Sequence, residues 1–122
     1  MERIEEFVLE GKHFIYIDLS GPMANEALLK LLETVTQAIA KYPVNSLYTI
    51  TNVAHLKFDT EIKNIVVECM GHNKLYVKYG VFIGVDGVKR IMASTIFKLS
   101  GRMNMHFAFS KEQAIEWLLQ QE

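Results

Sequence analysis

Cysteine is nearly absent from this chain. Cys69 stands alone, so no intramolecular disulfide can form, and a reducing, cytoplasmic setting is the economical expectation. Long apolar runs are missing too. The longest, around Val81 to Val85, is strand-sized, far short of the roughly 20 residues that cross a bilayer, so no membrane span is expected. The segment Met1 to Glu6 carries glutamates and no apolar stretch, and does not read as a signal peptide. Neither sign of charge dominates. With 13 basic and 14 acidic side chains, a formal net charge of −1 and no like-charged run, nucleic acid is not an expected partner. Linkers, internal repeats and low-complexity tracts are lacking as well.

What remains is globular. Half of the 122 residues are apolar, and the length suits a single domain spanning 1–122. A chain of this size can bury about two-thirds of its unfolded surface, enough to fold without a metal or disulfide. Strand-like and helix-like periods alternate. Ile4 to Leu9 and His13 to Leu19 read as two strands joined by the turn Glu10-Gly11-Lys12, hence an antiparallel hairpin. Ser20-Gly21-Pro22 breaks the second strand. From Ala24 to Tyr42, Leu28, Leu31, Leu32, Val35, Ala38 and Ile39 recur at helical spacing, and Pro43 is the expected stop.

Leu47 to Thr51 is the third strand. A second helix follows, capped by Asp59 or Thr60, with Ile62, Ile65, Val66, Cys69 and Met70 on its buried stripe. Tyr79 to Val85 is apolar on both faces, as in a covered parallel strand. The third helix is assigned the core stripe Val88, Ile91, Met92, Thr95, Ile96 and Leu99, with Gly101 as its stop. Met105 to Phe109 is the fifth strand, and Ser110 with Gln113 forms a capping box for the last helix. The order ββαβαβαβα, with crossover helices between strands, defines an α/β fold: one mixed, mostly parallel five-stranded sheet with four helices.

Sites of chemistry are scarce. The four histidines are scattered. Only Cys69 and His72 have a ligand-like spacing, and a core thiol beside a polar helix-end residue explains them without a metal. Gly84-Val85-Asp86-Gly87-Val88-Lys89-Arg90 joins a strand to a helix, where anions are favoured, yet it matches neither the Walker nor the dinucleotide pattern. A plain turn is the simpler reading. There is no Gly-x-Ser-x-Gly elbow, and Cys69 lies on an apolar stripe. Asp18 ends an apolar strand and is expected to hydrogen-bond the following loop. No catalytic residue, metal ligand or cofactor is therefore assigned. Leu29 and Phe97 fall off their helix stripes. Phe97, together with Arg90 and Ala93, is the candidate contact of a homodimer, because aromatics and arginine favour interfaces.

Four segments, taken together, are similar to a known group. They are Ile15 to Gly21, Gly84 to Ile91, Lys98-Leu99-Ser100-Gly101-Arg102 and Ala114-Ile115-Glu116-Trp117-Leu118. They resemble small STAS-like proteins of the sporulation anti-sigma-factor-antagonist superfamily, whose fold is also related to lipid-binding SEC14-type domains. The resemblance implies that partners meet the start of the second helix, where antagonists carry a phosphorylated Asp-Ser-Ser-Gly motif. Here that stretch reads Phe58-Asp59-Thr60-Glu61. Asp59 matches the aspartate and Thr60 the hydroxyl residue, but the second serine and the glycine are replaced, and Glu61 repels a phosphate donor. The expectation is a non-catalytic STAS-like binding domain for a protein partner or small ligand, with His55, Lys57, Asp59 and Thr60 at the contact. The alternative is a carrier of a lipid or other apolar small ligand, its pocket lined by methionine and phenylalanine. An enzyme of unknown reaction ranks third.

Overall fold

In the computed structural model, which describes residues 3–121, the chain folds as one mixed sheet with helices on both faces. Residues 1–2, part of the N-terminal stretch considered above, and residue 122 lie outside that description. The strands are β1 (Ile4–Leu9), β2 (Lys12–Asp18), β3 (Leu47–Asn52), β4 (Val77–Ile83) and β5 (Met105–Ala108). The helices are α1 (Asn25–Ile39), α2 (Thr60–Asn73), α3 (Gly87–Ser100) and α4 (Lys111–Leu119). Spatial order follows chain order, β1-β2-β3-β4-β5, with β1 antiparallel at one edge and every later pairing parallel.

The hairpin forms because Glu10 and Gly11 both take positive φ, 49° and 76°, the twist that a two-residue loop needs between right-handed strands. Three helices begin on side-chain caps. Asp59 accepts from the Ile62 amide at 2.8 Å, Asp86 from the Lys89 amide at 3.2 Å, and Ser110 from the Gln113 amide at 3.1 Å. Gln113 reciprocates by accepting from the Phe109 amide, completing the expected box one residue early. α1 closes at Ile39 rather than Tyr42. The Ala40, Lys41 and Tyr42 amides fold back onto Thr36, Ala38 and Ile39 in a tightening turn before Pro43 is reached.

The parallel crossovers put α1, α2 and α3 on one face of the sheet and α4 on the other, giving two apolar layers. Under α1 to α3 lie Ile15, Ile17, Leu28, Val35, Val66, Ile96 and Phe97. Under α4 lie Phe14, Tyr48, Ile50, Val81, Ala114 and Leu118. An aromatic row (Phe7, Phe14, Tyr48, Tyr79, Trp117 and His106) runs across this second face from β1 to β5 in ring contacts of 4.2 to 6.1 Å. That row lets one short helix seal a five-stranded face.

The register of α3 is the main departure from the sequence reading. Ala93, Ile96, Phe97 and Ser100 face the core, while Val88, Ile91 and Leu99 face outward. Phe97 is only 8% exposed, its ring edge-on to Phe82 at 5.0 Å and against Phe107 at 5.5 Å. The helix carries apolar stripes on opposite faces, so its period alone did not decide between them. The stripe with the phenylalanine is buried because two strand aromatics receive its ring.

Candidate functional site: the carboxyl edge of the sheet

Because β2 to β5 are parallel, their carboxyl ends share one edge, and the loops leaving it are bonded side to side. The Leu19 amide donates to the Asn52 carbonyl at 2.8 Å, Gly21 to Ala54 at 2.9 Å, and Val53 to Ile83 at 3.0 Å. Asp18 behaves as its strand-end position suggested. Its carboxylate accepts from the Ser20 amide at 2.9 Å and the Ser20 hydroxyl at 2.5 Å. Gly84 is required twice over. Its φ of +79° suits glycine, and a Cβ there would stand 2.7 Å from the Ala54 nitrogen. The loop between β3 and α2 is therefore fixed on both sides, and it holds His55 in a left-handed conformation, φ +62°, with its side chain exposed.

The structure brings the four proposed contact residues onto this edge, but not in equal roles. His55, Lys57 and Thr60 are exposed, whereas the Asp59 carboxylate is engaged in capping α2. Thr60 is the first residue of α2, with exposed Glu61 beside it. Two apolar residues stand on the same edge, Val88, which the sequence reading assigned to the core of α3, and Phe109, which it read only as the end of the fifth strand. Val88, in the first turn of α3, is 82% exposed, and Phe109, just past β5, is 83% exposed. The Arg90 guanidinium lies over Phe107 at 5.0 Å and Phe109 at 5.9 Å. The signal for Phe109 was its position just past a strand end, and that for Val88 its place in the first turn of a helix that opens at the same edge.

The candidate dimer contact does not survive in its original form. Ala93 and Phe97 are packed inside the protomer, and of that trio only Arg90 reaches the surface. Cys69 is half-buried between α1 and α2, contacting the Thr36 hydroxyl and the Asn73 amide, both at 3.5 Å, and burial pushes its thiol up. His72 is exposed nearby. Among the described residues, no three His, Cys, Asp or Glu side chains converge as metal ligands. At the β4–α3 turn the Asp86 carboxylate occupies the amide end that an anion would need.

Among the described residues, two concavities bear on ligand binding. A cavity of about 40 Å³ lies between the sheet and α1 and α2, where Met70 and Met105 fill space beside the buried Arg102. This is nearly an order of magnitude below the ~300 Å³ that a small-molecule pocket needs, so these methionines pack the core rather than enclose a lipid. An open groove of about 370 Å³ between α1 and α2 has Leu29, Leu32, Ile65 and Cys69 along its walls and Glu33, Gln37, Glu68 and His72 among its polar lining. Among the described residues, no helix is long and apolar enough to cross a membrane.

No protein-family model matches the chain, and no curated protein matches it in sequence. Among solved structures, it is similar to the anti-sigma factor antagonist SpoIIAA in its unphosphorylated form. The identity is 19%, the match covers 98% of each chain, and the TM-score is 0.62. The fold expected from the sequence segments is thereby shown: the chain has the STAS-like architecture, with five strands and four helices in the order ββαβαβαβα.

Proposed function

We propose that this chain is a non-catalytic STAS-like binding domain that docks a protein partner on the carboxyl edge of its sheet. The observation that carries this reading is the pairing of exposed apolar side chains, Val88 and Phe109, with the polar groups His55 and Lys57 on a backbone-locked loop and Arg90 in the first turn of α3. Apolar anchors with a basic rim are what a protein interface uses, and a rigid presentation lowers the entropy cost of binding. Open α/β sheets favour this edge for ligands. The structural neighbour's description as an anti-sigma factor antagonist supports the class of function.

Phosphorylation of Thr60 is not the switch in this reading. The α2 dipole would favour a phosphate by about 0.3–1 kcal/mol, but Asp59 and Glu61 on either side oppose it. Recognition rests on shape and polar contact instead. The test is chemical crosslinking in host lysate with tagged wild type, with His55→Ala/Lys57→Ala, and with Leu29→Ser in the groove between α1 and α2. The edge variant should lose the crosslinked species that the Leu29 variant keeps. Equal retention by both folded variants moves the site away from this edge.

A further inference from the structure

Arg102 is buried by the way α3 ends. Gly101 takes a left-handed conformation, φ 74°, and the Arg102 amide turns back to the Phe97 carbonyl at 2.9 Å. Helix endings of this kind send the residue after the glycine under the helix, into a slot that normally takes an apolar side chain. Here the slot holds an arginine that is 5% exposed.

A guanidinium offers five N–H donors, and few of them are satisfied. Nη1 reaches the Met70 carbonyl at 3.5 Å, and Nη2 contacts the Met105 thioether, a weak acceptor, at 3.2 Å. Nε is buried without a partner. Among the described residues no carboxylate lies within ion-pair distance of this group. Burial pushes the guanidinium down to about 10, so at neutral pH it is still a cation. An unpaired charge this deep is strongly unfavourable unless something neutralises it.

The cavity beside it has the chemistry to do so. At about 40 Å³ it has room for a few waters, given that one needs roughly 10–15 Å³, or for one ion of similar bulk. Its polar lining groups are Arg102, Thr49, Thr51, Asn73 and Cys69, and each can donate a hydrogen bond. No carboxylate lines it, which disfavours a cation. The remaining walls are apolar, which disfavours multivalent oxyanions that dehydrate reluctantly. Cys69 and Leu32 line both this cavity and the open groove between α1 and α2, marking the route of exchange.

We propose that the cavity beside Arg102 binds a small inorganic monoanion of chloride size, acting as the buried counter-ion that ties α2, β3 and the end of α3 together. The site is independent of the carboxyl edge and of the partner proposed there. Thermal unfolding of the full chain is measured at constant ionic strength while chloride or bromide replaces gluconate, which is too bulky for the cavity. The melting temperature should rise with halide. Above the dissociation constant, each tenfold increase in halide should raise the folding equilibrium constant about tenfold. Arg102→Met should melt independently of halide, and Thr49→Val, which leaves the charge in place, should need more halide for the same shift. A bromide-soaked crystal should show anomalous density beside the guanidinium. Identical wild-type melting in chloride and gluconate overturns the proposal, as does a bromide crystal with only water in the cavity. Undiminished halide dependence in Arg102→Met overturns it equally.

Discussion

Replacing Phe97 by alanine tests the orientation of α3 and, with it, the layout of the larger core. The ring is 8% exposed and is held between Phe82 on β4 and Phe107 on β5. Truncating a buried phenylalanine costs about 3–5 kcal/mol, of which each aromatic contact contributes roughly 0.5–1.5 kcal/mol. Hydrogen-bonded strands carry both partner rings, so the site cannot collapse readily and a loss of about 4 kcal/mol is expected. With about 2.1 cal/mol/K of unfolding entropy per residue over 122 residues, that loss lowers Tm by about 15 °C. Leu99→Ala is the control. Leu99 faces solvent, and its truncation should stay within about 0.5 kcal/mol. Denaturant titration with calorimetry reads both variants. A Phe97 variant within about 1 kcal/mol of wild type, with Leu99→Ala costing several, would mean that α3 is rotated by half a turn.

Three further outcomes follow from single contacts. Gly84→Ala should lose about 2–4 kcal/mol in urea denaturation, because alanine is strained at φ +79° and its Cβ meets the Ala54 backbone; a neutral substitution would show the loop to be pliable. Asp59→Ala should cost about 1 kcal/mol through the lost cap, and no change in stability would mean that the carboxylate is not bonded to Ile62. Cys69 keeps its proton longer folded than unfolded. Stability relative to Cys69→Ala should therefore be level at neutral pH and fall as pH rises past the ordinary thiol range, about 8.5; a difference that grows with pH contradicts its burial.

The architecture was largely legible because its signals are local. The Glu10-Gly11 turn, the caps at Asp59 and Ser110, and the nearly all-apolar run Tyr79 to Val85 each follow from residue type and spacing, and together they define the element order. α3 was misread for an equally physical reason. With Val88, Ile91 and Leu99 on one face and Ala93, Ile96 and Phe97 on the other, periodicity is satisfied twice, and only the aromatic partners on β4 and β5 break the tie. Those partners lie on neighbouring strands, outside the periodic window of the helix itself. At the site, His55, Lys57 and Thr60 were singled out by the resemblance at the start of the second helix and are exposed in the loop and first turn there, whereas Val88 was assigned to the core by the same error that exposed Phe97. Arg102 could not be read as buried from its type, since arginine is rarely interior; only the glycine-terminated helix end before it hinted at an inward course.

The central claim, that a protein partner docks on the carboxyl edge, is tested most directly by removing the apolar anchors on that edge. Val88→Ser/Phe109→Ser changes two exposed side chains and should leave Tm within a few degrees of wild type. Once the partner has been isolated, titration calorimetry of its binding to this variant should show at least a hundredfold weaker affinity, about 2.7 kcal/mol, as expected for hot-spot residues. Affinity equal to wild type in the folded double variant would contradict the account.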